Sequence, residues 1–297
     1  MKLHLKRDEP AGAGLARISR ELCARARRAT ARGDTLTDQA VFELRKTVKK
    51  LRALLRITRP ALTPDTFRET DRLLRDFGRL LGRPRDAAVL VATYDDLLAY
   101  FRPLPDESAL QPLRNALHCR YLVAQEDLLL ANEEHALATR FGLIERHVAQ
   151  LDLTQLSDAQ LLQGIRKSYR RCRGLLRQLH REPSTENSHD LRRQVKYTWN
   201  QLRLLRKRDP QRLEPFIAGL DTLGRHLGKD SDLALLVDVL QRHPETGCGH
   251  IRTELIIALA EARRTAVLTA SLRLADRLFA EPPGRFGSRL APHAGQR

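Results

Sequence analysis

What this sequence has little of narrows its class first. No uninterrupted apolar run approaches the roughly 18 residues that cross a bilayer as a helix. The opening segment, MKLHLKRDEP, lacks the apolar core of a secretory signal. The four cysteines, Cys23, Cys119, Cys172 and Cys248, stand apart and form no CxxC pair. That pattern argues against a disulfide framework or a zinc site and suits buried thiols in a reducing compartment. A soluble, cytoplasmic chain with no membrane partner is expected. No run of alternating strand residues occurs, so sheet-based folds are not expected. Aromatic residues are only 5% of the chain, so surface for stacking on nucleic-acid bases is scarce.

Acidic residues are the other deficit. Asp and Glu number 36 against 53 Lys and Arg, giving +17 with histidine neutral. A surplus of that size points to a polyanionic partner: nucleic acid, an anionic membrane surface or a phosphate polymer. Hydrophobic residues make up 42% of the 297 residues, enough for a large core rather than a disordered chain.

The charge is concentrated. Across Phe42 to Arg59, FELRKTVKKLRALLRITR, and the preceding Val41, the residues Val41, Leu44, Val48, Leu51 and Leu55 recur at three and four and share one helix face. Phe42, Arg45, Lys49, Arg52 and Arg56 follow the same spacing one residue on, rotated by about 100°. Lys46 and Lys50 widen that stripe. Seven basic side chains against one acid, Glu43, lie within about 27 Å of helix. Arg45–Lys49, Lys46–Lys50 and Arg52–Arg56 are like charges at i,i+4, which destabilise an isolated helix. A bound polyanion would offset that cost.

The rest of the chain also reads as helical. A polar lead-in ends at Pro10, and a helix runs from Gly14 to about Arg32. Ser157 and Asp158 cap a later helix whose Arg166, Arg170, Arg173 and Arg177 align at four, three and four. The segments 109–151, 211–227, 230–242 and 250–280 each carry helical spacing, the first with a break near Asn132. Pro282 and Pro283 end the last helix, leaving 283–297 as a disordered tail. About ten helices are expected.

The two halves match. At an offset of 147, Phe42, Leu44, Arg45, Lys46, Val48 and Lys49 lie over His189, Leu191, Arg192, Arg193, Val195 and Lys196. At an offset of 146, FGRLLGR (77–83) lies over LGRHLGK (223–229), and Asp86 over Asp232. The glycines permit a tight turn or close helix approach. The aspartates are placed to cap the following helices. The expected fold is all-α: two four-helix bundles related by a pseudo-two-fold axis, from an internal duplication with repeats at about 12–152 and 157–282.

The residues His189-Asp190-Leu191-Arg192-Arg193-x-x-Lys196, with LGRPRD (81–86) and LGKDSD (227–232), resemble the CHAD domain, the conserved histidine α-helical domain. The resemblance covers nearly the whole chain, in duplicate. It implies two helical bundles around a basic cavity or channel, binding of inorganic polyphosphate, and association with polyphosphate granules. Two departures stand out. Phe42 occupies the first repeat's histidine position, and Tyr197 and Trp199 replace the basic Lys50 and Arg52 of repeat one.

The polyphosphate set expected from this reading is Arg45, Lys46, Lys49, Lys50, Arg52 and Arg56 with Arg192, Arg193, Lys196 and Arg203. Arg166, Arg170 and Arg173 are expected beside the second stripe, and Arg17 and Arg20 beside the first. Arginine offers bidentate bonds to phosphate oxygens and lysine a mobile point charge. His189 is a candidate hydrogen-bond donor to phosphate or a packing residue. Glu186 and His189 form the sequence's one ExxH pair, so no metal site is expected. GRHLGK (224–229) lacks the spacing and the Ser or Thr of a phosphate loop. No catalytic grouping and no cofactor are expected. Two alternatives remain: an enzyme acting on phosphorylated substrates, and a nucleic-acid-binding regulator.

Overall fold

The computed structural model describes residues 3–6, 8–30, 38–103, 107–130, 133–243 and 250–290. Among these residues eleven α-helices follow one another: α1 (Ala11–Thr30), α2 (Asp38–Thr58), α3 (Pro64–Leu80), α4 (Gly82–Tyr100), α5 (Gln111–Leu130), α6 (Glu133–Ala149), α7 (Asp158–Arg181), α8 (Thr185–Leu205), α9 (Pro210–Arg242), α10 (His250–Leu278) and α11 (Pro283–Leu290). There is no strand among the described residues. None of the described helices is long and apolar enough to cross a membrane.

Local sequence sets the helix ends. Thr63 accepts from the Thr66 backbone N–H, and Pro64 supplies the first turn of α3. Ser157 and Gln160 form a reciprocal capping box at α7, where the sequence places a cap. Asp209 accepts from the Arg212 backbone N–H, with Pro210 beginning α9. The expected break near Asn132 falls between α5 and α6, and residues 131–132 lie outside the described residues.

The helices pack in three groups. Helices α1, α2, α3 and α6 touch in sequence around one bundle, and α7, α8, α9 and α10 around another. The apolar stripe of α2 (Leu44, Val48, Leu51, Leu55) and that of α8 (Leu191, Val195, Leu202) enter the same buried cluster, so the two bundles share a core. A second cluster lies apart. There Leu90, Tyr94 and Leu97 of α4 and Leu113 and Leu117 of α5 pack on Leu233, Leu236 and Leu240 of α9 and Ile256 of α10. Each core therefore draws on both halves of the sequence.

Three expectations change. Segments 211–227 and 230–242 are one helix, α9, which runs unbroken through Gly228. The matching Leu81–Gly82 in the first half does separate α3 from α4. The lead-in before Pro10 is not merely polar: Leu3 and Leu5 are buried, and the Leu5 N–H donates to the Leu204 carbonyl at 2.9 Å. Residues 283–290 are not a disordered tail but helix α11, begun by Pro283 in a position where proline's missing N–H costs nothing. Its Phe286 ring stacks on Tyr169 at 3.9 Å between centroids and 9° between planes, within a cluster that includes Phe216 and Phe279. Residues 291–297 lie outside the described residues.

Phe286 is 1% exposed, so Phe286→Ala empties a filled aromatic site and should cost about 3–5 kcal/mol of stability. Urea unfolding followed by far-UV circular dichroism checks this. A change below about 1 kcal/mol would mean that α11 is not docked as described.

Candidate functional site

Helices α2 and α8 lie against each other, with the Gln201 amide donating to the Ala53 carbonyl at 3.0 Å. Each buries its apolar stripe and carries its basic stripe at the edge of that core, with Lys50 itself buried. The like charges forced together there are distributed among carboxylates, aromatic rings and open surface.

On the α8 side the cations converge on a cavity of about 470 Å³ between α4, α8, α9 and α10. Its walls carry Arg192, Lys196, Arg225, Lys229 and Arg263, against the carboxylates Asp96 and Asp232. Arg192 pairs with Asp232 at 3.7 Å, Lys196 with Asp221 at 3.4 Å, and Lys229 crosses to Asp96 of α4 at 2.9 Å. The Arg263 guanidinium lies over the Tyr100 ring at 3.5 Å. Arg225, Lys229 and Arg263 are absent from the sequence-based set. The first two stand inside the repeated glycine motif, where the glycines drew attention to backbone geometry and away from charge.

Those glycines have a packing role. A Cβ on Gly224 would lie 2.8 Å from Lys196 Cε, and one on Gly228 would lie 3.2 Å from Arg192 Nη2. Both glycines sit within α9 and let the two cationic side chains lie flat across it. In the first half the corresponding contacts are looser: 3.6 Å from Gly78 to Val48 and 4.0 Å from Gly82 to Arg45.

The aspartates are ion-pair partners rather than caps. Arg45 pairs with Asp86 at 3.8 Å, as Arg192 pairs with Asp232, and both aspartates lie inside helices. Arg45 also donates to the Leu81 carbonyl where α3 gives way to α4. Arg52 and Arg56 share Asp71 of α3 at 3.1 and 3.5 Å. Arg56 in addition stacks over Tyr197 of α8, and Arg203 over Trp199, at 4.7 and 4.4 Å. The two aromatic departures thus support neighbouring cations. Lys46 pairs with Glu43 and lies over the Phe42 ring. Lys49 is exposed, and Arg193 pairs with Asp190 at 2.8 Å on the outer face of α8.

Crowding of cations shows in the titration behaviour. Lys50 is 8% exposed. Burial, then the charges of Lys46, Arg203 and Arg25, push its amine down to about 8, with Glu43 opposing. Burial likewise lowers Lys196, against the pull of Asp221. Burial lowers Arg203 too, with Arg206 adding to the effect. His189 has an exposed ring, yet atoms crowded around it desolvate it and lower its pKa, with Arg193, Arg192 and Lys49 adding and Asp190 opposing. Each of these sites favours added negative charge.

Five expected residues are not brought to this site. Arg17 is committed to Glu9 and Glu21 at 2.7 and 2.9 Å, which pulls the Glu9 carboxyl down to about 2. Arg20 is exposed and bonds back to the Ala16 carbonyl of its own helix. Arg173 donates to the Glu281 carbonyl, and Arg166 lies against Gly287 of α11. Arg170 shares their outward face and is exposed. The helical spacing of these arginines is as read, but α7 turns that face toward the C-terminal segment and solvent. Among the described residues no group of three or more His, Cys, Asp or Glu is arranged to hold a metal ion.

A family model described as the CHAD domain matches residues 13–241. The crystal structure of the CHAD domain from the plant Ricinus communis is similar in fold, with TM-score 0.63 at 19% identity, covering 95% of this chain and 96% of that one. No curated protein matches.

Lys50 gives this site a pH signature. Its amine deprotonates near pH 8 in the folded chain and near the ordinary lysine value of 10.5 when unfolded. Between those values the unfolded chain holds the extra proton, so the contribution of Lys50 to stability rises with pH across that window. Lys50→Met should remove the rise and make the protein more stable at pH 7. Urea melts at pH 7, 8.5 and 10 check this, and parallel pH profiles for the two proteins would refute the depressed pKa.

Proposed function

The chain belongs to the CHAD-domain family, and we propose that it binds inorganic polyphosphate, without catalysis, in the cationic cavity beside α8 and along the adjoining face of α2. The observation that carries this reading is the convergence of Arg192, Lys196, Arg225, Lys229 and Arg263 on one concave space with only two carboxylates in its lining. A chain of phosphates presents repeated charge and no bases, so it requires dense cations on a rigid scaffold. Arginine meets phosphate oxygens through paired N–H groups, and the lysines add adaptable point charges. The Nε groups of Arg56 and Arg263 are buried without a hydrogen-bond partner, so each guanidinium keeps uncompensated donor potential.

Binding rather than turnover fits the carboxylates around the cations. Asp71, Asp86, Asp96, Asp221 and Asp232 are each engaged with an arginine or lysine. They moderate the field of the cations one by one instead of gathering to hold a divalent metal. On the same reading the protein associates with polyphosphate granules in the cytosol. A fluorescent fusion that stays diffuse in polyphosphate-rich cells would remove granule association from it.

Titration calorimetry with long-chain polyphosphate tests the binding itself. Affinity should fall steeply with salt as counterions are released, by analogy with nucleic acids. The double variant R192A/K196A should bind at least about tenfold more weakly, a loss of about 1.4 kcal/mol. At pH 8 binding should take up protons, because added negative charge raises the Lys50 pKa. Calorimetry in buffers of differing ionisation enthalpy reads that uptake. No heat and no thermal shift at saturating polyphosphate would refute the function.

A further inference from the structure

A second cationic surface lies outside the cavity. Helix α7 carries seven Arg or Lys and one acid, Asp158, in its 24 residues. Its buried face is apolar but for Ser168: Leu161, Ile165, Tyr169, Cys172, Leu175, Leu176 and Leu179. On the opposite face Arg166, Lys167, Arg170, Arg171, Arg177 and Arg181 are all exposed. None of these six makes an ion pair among the described residues, whereas Arg192, Lys196 and Lys229 of the cavity each have one. Gly174 stands amid them with no atom within 4 Å of where a Cβ would be, so the middle of the ridge is open to close approach. From Arg166 to Arg181 the ridge runs about 22 Å along the helix.

The chemistry of the ridge selects among polyanions. Five of the six are arginines, which favours phosphodiester oxygens over simple counterions. Among the described residues the exposed large apolar side chains are Phe42, Tyr100, Leu122, Val123, Leu143 and Leu255, and none is on α7. The ridge therefore has no wedge to enter a lipid interface and no ring on which an unpaired base would stack. At about 3.4 Å per phosphate, its length spans about six phosphates of one strand, which suits a stiff partner with phosphates on its outside. We propose that α7 docks duplex nucleic acid through its phosphate backbone, without reading sequence, on a surface separate from the polyphosphate cavity.

The test is fluorescence anisotropy with a short mixed-sequence DNA duplex between about 50 and 200 mM salt. The variant R171Q/R177Q/R181Q removes three exposed cations. It should bind duplex at least about tenfold more weakly and lose about 2.7 from the slope of log affinity against log salt, at about 0.9 per phosphate contact. Its polyphosphate titration should match that of the unsubstituted protein, and R192A/K196A should bind duplex as that protein does. If the triple variant does not fold, R177Q/R181Q carries the same test with a slope loss of about 1.8. Unchanged duplex affinity in the α7 variants overturns the proposal. So does loss of duplex binding in R192A/K196A, which would assign the duplex to the cavity. Tighter, α7-dependent binding to mixed phosphatidylcholine and phosphatidylserine vesicles than to duplex would make the partner a membrane surface instead. Failure of polyphosphate binding alone, with α7-dependent duplex binding intact, would refute the proposed function and leave this inference standing.

Discussion

Like charges held side by side on α2 and α8 set the terms for the rest of the molecule. Both helices must bury an apolar stripe, and both carry cations immediately beside it. Desolvation makes this worse, as the depressed titration of Lys50 and Lys196 shows. The surrounding helices respond by offering compensation at measured positions. Helix α3 gives Asp71, α4 gives Asp86 and Asp96, and α9 gives Asp221 and Asp232. Tyr197 and Trp199 add ring faces beneath Arg56 and Arg203. The compensation is partial, and partial compensation is what keeps a folded protein receptive to an anion.

The two sides solve the same problem with different means. The α2 side relies on shared carboxylates, with Arg52 and Arg56 both turned to Asp71. The α8 side relies on close packing, with Lys196 and Arg192 pressed over Gly224 and Gly228. A flat cation on a helix surface has fewer rotamers left to lose when a ligand arrives. The cavity lined by Arg192 and Lys196 lies beside the helix whose charge is sparser in sequence. Charge density along one helix does not by itself place that cavity. What matters is which neighbouring helices add to it.

Helical class, the two basic stripes and their apolar partners were legible in the sequence because they rest on periodicity, which one chain reports directly. Arg45, Lys49, Lys50, Arg192 and Lys196 could be named for the same reason. The direction in which α7 faces was not legible. Arg166 and Arg173 have the right spacing, but only the docking of α11 decides that they meet the C-terminal segment. The tail was misread because Pro282 and Pro283 mark both an ending and a beginning, and Phe286 has no periodic company in so short a helix. Gly228 was misread as a break because a glycine motif permits a turn and close approach alike, and the neighbouring Arg192 selects the second. Arg263 had no local signal at all; it reaches the cavity through tertiary packing.

The unbroken course of α9 has a mechanical consequence. Its first half belongs to the main core and its second half to the smaller one. A single helix shared by two cores works as a strut, and the cavity wall it forms cannot tilt without breaking backbone hydrogen bonds. The first half has a joint at the matching place, between Leu81 and Gly82, held by the Arg45 side chain. The cavity thus has one continuous wall, α9, and one jointed wall, α4, which Arg45 of α2 fastens at the Leu81 carbonyl and at Asp86.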